Sequence, residues 1–192
     1  MTQIIRLLEE VRACTRCSEH LPLGPRPVVR ASPTARLLIV GQAPGTRVHE
    51  TGIPWNDPSG DRLRDWLQLD HDRFYDDSQI AIVPMGFCYP GKGRSGDLPP
   101  RPECAPTWHG RLLEAMPALR LTLLVGQYAQ KYYLPEQYGS LSENVAHYRE
   151  ALPHWFPLPH PSPRNRRWLA QRPWFEQQVL PALRRAVAKA LE

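Results

Sequence analysis

RLLIVGQAPG, residues 36–45, is the stretch on which the fold turns. Leu37, Leu38, Ile39 and Val40 follow a single arginine and stop at Gly41, with Pro44 and Gly45 just behind. A run this short, apolar at both alternating sets of positions, has no face to give to water. It reads as a strand buried on both sides. Three more runs share the pattern: IAIVPMG (80–86), LTLLVGQ (121–127) and HWFPLPH (154–160), each closed by glycine or proline. Helical spacing fills the gaps, in SGDRLRDWLQL (59–69) with Ser59 as cap, PECAPTWHGRLLEAM (102–116) and QYAQKYYL (127–134). The chain opens with TQIIRLLEEVRAC (2–14), where Thr2 reads as an N-cap, and closes with PWFEQQVLPALRRAVAKALE (173–192), apolar on one stripe despite Pro181. Alternating strands and helices predict a layered α/β domain.

The 192 residues fit one domain spanning 1–192, and 42% apolar content suffices for a core on both faces of a sheet. The 22 prolines, well above the ordinary share of about 5%, cluster in LPLGPRPVV (21–29), GDLPPRPECAP (96–106) and HWFPLPHPSPR (154–164), which predicts long, stiff, ordered loops. No run approaches the roughly 18 apolar residues of a membrane span, and MTQIIRLLEEVRAC lacks a signal peptide's apolar centre. The expectation is a soluble cytoplasmic monomer with no membrane partner. A net charge of +5 favours a polyanionic partner only mildly. The placement says more: Arg164, Arg166, Arg167 and Arg172 crowd one loop, and Lys92, Arg94 and Arg101 another.

Ligands of open α/β sheets gather beyond the carboxyl ends of the strands, which here read GQAPG, MGFC, GQYA and HPSP. After the first strand, Gly41, Pro44 and Gly45 make a tight turn that exposes backbone N–H groups. Downstream, TGIPWNDPSGD offers the aromatic face of Trp55, then Asn56, then Asp57 before Pro58, a position that also suits a helix start. After the last strand, HPSPRN (160–165) places an imidazole between two prolines. Cys14 and Cys17 form a C-x2-C pair, and Cys88 and Cys104 lie in a proline-stiffened loop that could bring two more ligands to one metal. The pattern alone leaves zinc, an iron–sulfur cluster and inert buried thiols open.

Taken together, GQAPG, TGIPWNDPSGD, HPSPRN and the four cysteines resemble the uracil-DNA glycosylase superfamily, most closely its iron–sulfur families four and five. The similarity runs from Cys14 to the final helix. It implies a three-layer α/β/α fold around a four-stranded parallel sheet, a 4Fe–4S cluster on Cys14, Cys17, Cys88 and Cys104, and DNA as partner. The implied reaction is hydrolysis of the N-glycosidic bond of a flipped, damaged base such as uracil, leaving an abasic site. In that reading His160 donates to the developing oxyanion of the base, while Asp57 orients water and stabilises the cationic sugar. Trp55 stacks on the base, with Asn56, Gln42 and Ala43 contacting base or sugar. Ser162, Arg164 and Asn165 meet the DNA, Arg164 standing where many relatives insert an apolar wedge.

The chain departs from its relatives at three places. Family one carries a catalytic Asp where Ala43 stands, and family four a Glu where Gln42 stands. The base-reading Asn of family four is replaced by Pro84. Selectivity for uracil is therefore not implied, and a catalytically silent nucleic-acid-binding member of the superfamily is the second reading.

Overall fold

The computed structural model describes residues 3–134 and 138–192. Its strands are β1 (Leu37–Val40), β2 (Ile80–Ile82), β3 (Lys92–Gly93), β4 (Gly96–Asp97), β5 (Leu121–Val125) and β6 (Trp155–Leu158). The helices are α1 (Gln3–Arg12), α2 (Thr46–Thr51), α3 (Pro58–Leu67), α4 (His71–Phe74), α5 (Cys104–Glu114), α6 (Gln127–Tyr133), α7 (Leu141–Ala146), α8 (Tyr148–Ala151), α9 (Arg166–Ala170) and α10 (Leu180–Leu191). All four apolar runs are strands, and they form one parallel sheet in the order β2-β1-β5-β6. Thr2 lies outside the described residues.

Every residue of β1, β2 and β5 is buried, as their unbroken apolar sequences require. Alternation splits them between two cores. Leu37, Ile39, Ile80, Ile82, Leu123 and Phe156 pack with Leu63 and Trp66 of α3 and Leu183 and Val187 of α10. Leu38, Val40, Ala81 and Leu124 face the other way, onto Leu7 and Val11 of α1 and Trp108 and Leu112 of α5. The result is the three-layer α/β/α arrangement around four parallel strands.

Two sequence expectations change in detail. Ser59 is buried and is not the cap of α3; Asp57 is, its Oδ1 accepting from Gly60 N at 2.8 Å. Pro58 takes the first helical position, where its missing N–H costs nothing, so the capping residue must be the one before it. The final helix is not uniform either. Phe175–Val179 forms a π-helical stretch just ahead of Pro181, a wider turn of the kind that relieves a proline's lost hydrogen bond and ring clash. No helix among the described residues is long and apolar enough to cross a membrane.

The sheet puts the reversal of strand order between β1 and β5. Beyond their carboxyl ends the chain must diverge to opposite faces, and a crevice opens there.

Candidate active site

The crevice is a cavity of about 550 Å³. The loop after β1 supplies Gly41, Gln42 and Ala43; the segment before α3 supplies Trp55 and Asp57; the loop after β6 supplies His160, Ser162, Arg164 and Asn165. Eight of the nine residues predicted to act on base or DNA thus line one cavity, Asn56 being the exception. Pro84 also lines it, from the end of β2.

HPSPRN is pinned internally. Ser162 N donates to His160 Nδ1 at 3.2 Å, so the neutral imidazole carries its proton on Nε2. Asn165 Nδ2 donates to the carbonyl of His160 at 2.7 Å, and Ser162 Oγ accepts from Arg164 N in the following 3-10 turn. Ser162 and Asn165, expected on DNA, therefore spend their side chains on the shape of this loop. Burial lowers the pKa of His160, against an opposing pull from Asp57. The ring is a neutral donor at pH 7.

Trp55 adopts a left-handed backbone, φ 58°, a conformation that costs a bulky residue energy and needs support. That support is visible. Arg64 donates to the carbonyl of Trp55 at 3.2 Å, and Tyr75 donates to that of Pro54 at 2.7 Å. The indole lies over Gly41, where a Cβ would stand 2.8 Å from Trp55 Cζ2, and packs against His160 with ring centroids 5.5 Å apart. With the two rings packed against each other, no third ring fits between them.

Arg164 does not project freely as a wedge. Its guanidinium donates to the carbonyl of Ser95 at 2.6 Å and lies against Gly96. Gln42 Nε2 likewise donates to the carbonyl of Leu98 at 3.0 Å. Both clamp the β3–β4 hairpin, whose strands pair Lys92 with Asp97 and Gly93 with Gly96, across the mouth of the cavity. The hairpin brings Asp97, a lining residue that sequence reasoning missed. Its sequence signal is GKGRSGD, two glycines bracketing an Arg-Ser tip, which is too short to show strand alternation.

Next to the loop after β2, Cys14, Cys17, Cys88 and Cys104 line one small cavity together with Phe87 and Trp108. Among the described residues no three His, Cys, Asp or Glu side chains stand close enough to grip an ion. The thiols nevertheless sense one another. Burial and the neighbouring sulfurs push Cys104 up to about 12, against the hydrogen bond from Phe87 N; burial raises Cys88 to about 11, with Cys14 and Cys17 adding to it.

A family model of the Uracil DNA glycosylase superfamily matches residues 29–184. The chain belongs to the uracil-DNA glycosylase superfamily. Members of the superfamily hydrolyse N-glycosyl bonds in DNA, and the match runs from β1 into α10, covering every cavity-lining residue except Val28.

Proposed function

We propose that this chain is a DNA glycosylase that extrudes a deaminated base such as uracil, cleaves its N-glycosidic bond with water and leaves an abasic site. The observation that carries the reading is the meeting of a neutral His160, its proton on Nε2, and the Asp57 carboxylate in one base-sized cavity beside exposed arginines. Heterolysis of the bond places negative charge on the base and positive charge on the sugar, and a donor and a carboxylate answer the two. His160 Nε2–H is aimed before the charge develops, because its ring and backbone are both fixed. Asp57, anchored through Oδ1 to α3, holds a negative charge facing the sugar. The cavity face of Trp55 stacks on the extruded base. Arg166 and Arg167, exposed on the first turn of α9, reach phosphates as the expected monomer docks on DNA.

Cys14, Cys17, Cys88 and Cys104 would hold a 4Fe–4S cluster. The donor set fits: four cysteines from two distant segments surround one cavity, and the raised pKa values of Cys88 and Cys104 call for a positive charge to make those two thiolates. Bound there, the cluster supplies a crosslink between the N-terminal segment and α5. An absorption band at about 400 nm in anaerobically purified protein is expected; a colourless, zinc-loaded or metal-free protein contradicts it.

The function is tested by incubating the protein with oligonucleotides that each carry uracil, hypoxanthine, xanthine or an oxidised base, followed by alkaline cleavage of abasic sites. Cleavage at one or more lesions is expected. Binding without cleavage at any of them would leave the silent reading, for which the loss of acidic side chains at Gln42 and Ala43 speaks.

A further inference from the structure

We infer that Asp97, delivered by the β3–β4 hairpin, is a second catalytic carboxylate that accepts the proton of the attacking water. The inference rests on the glycosylase reading above and assigns a division of labour within that site.

Asp57 is already engaged as the cap of α3, one of its oxygens accepting from Gly60 N at 2.8 Å. Asp97 differs. It ends β4 at the mouth of the same cavity, and no described residue donates a hydrogen bond to its side chain. Its Oδ2 lies over the GQAPG turn, 3.5 Å from where a Cβ on Gly45 would stand. Asp97 is exposed as a residue, yet its carboxyl reaches far enough into the mouth that lost hydration raises its pKa. The charge of Asp57 adds to that rise, and Arg164 and Lys92 oppose it. The two carboxylates thus differ in their bonding, one tied into a helix cap and the other unbonded at the mouth, where it can accept a proton.

The step balances without a further reactant. The bond between C1′ and the base nitrogen breaks, its electron pair leaving on the base under the hydrogen bond from His160. The oxygen of water bonds to C1′, and the proton that water sheds passes to Asp97 and then to solvent. The departing base takes a proton from solvent. The hairpin is held in place for this from both sides, by Arg164 on Ser95 and by Gln42 on Leu98. Gln42 and Arg164 therefore act as positioning residues for Asp97.

The experiment uses the full chain at saturating enzyme, in single turnover, on whichever lesion duplex the wild type cleaves. If the wild type cleaves none, the glycosylase reading fails before Asp97 is reached. With an active wild type, Asp97→Asn and Asp97→Ser are expected to slow base release at least tenfold while binding undamaged duplex within threefold of wild type. Exposure and the lack of hydrogen-bond partners make both variants foldable, and a thermal melt matching wild type checks this. A fall smaller than tenfold in both variants, or one accounted for by weaker DNA binding, would overturn the inference.

Discussion

Trp55 is the residue whose backbone is most constrained. Its positive φ is held between two glycines: Gly41 makes room for the ring, and Gly60 makes room for the main chain. A Cβ on Gly60 would fall 1.7 Å from the carbonyl oxygen of Trp55, so either the first turn of α3 or the Trp55 peptide must move. Gly60→Ala is therefore expected to cost about 3 kcal/mol of stability, measured by urea denaturation. A cost below about 1 kcal/mol would show that Trp55 is not held as described. The sequence TGIPWNDPSGD made Trp55 and Asp57 visible as candidates, and nothing in it revealed that the indole would rest on His160. That contact spans residues about a hundred positions apart and is decided by the sheet that brings β6 near the end of β1. A separation of 69 positions likewise hid the capture of Arg164 by Ser95.

At the scale of elements, α5 links the cysteine cavity to the floor of the active site. Cys104 begins the helix, and one turn on, His109 Nε2 donates to the carbonyl of Pro84 at 2.9 Å while Nδ1 accepts from Tyr133 at 2.5 Å. Burial drives the pKa of His109 down to about 4, partly offset by the bond to Pro84. The folded pKa lies below the unfolded one, so the stability this residue contributes is present above pH about 6.5 and is lost as pH falls toward about 4, where the folded form also takes up its proton. At about 1.4 kcal/mol per unit, the loss is about 3 kcal/mol. Urea denaturation at pH 7 and pH 4.5 should show the wild type losing more stability on acidification than His109→Gln does; equal losses would contradict the assignment. The strands themselves were legible, because each is apolar on both faces and closed by glycine or proline. The β3–β4 hairpin was not: two residues per strand carry no periodicity, and loop anchors far away in sequence give it its shape. Nor was the π-helical stretch, since Pro181 signals a disturbance without saying which turn absorbs it.

For the whole molecule, function follows from topology. A parallel sheet in the order β2-β1-β5-β6 has its reversal between β1 and β5, and the loops that leave β1, β2, β5 and β6 all contribute to the cavity beyond it. The sheet order is why Gln42, Pro84, Gln127 and His160, scattered across more than half the chain, line one cavity. The cysteine cavity lies next to the β2 loop, lined by the segment after α1 and by the start of α5. The central claim is that the cavity at the reversal excises a base with His160 as the donor to its oxyanion. Single-turnover release of that base by wild type and by His160→Ala tests it most directly. The account predicts a fall of at least tenfold with the thermal melt unchanged; a variant as fast as wild type would contradict it.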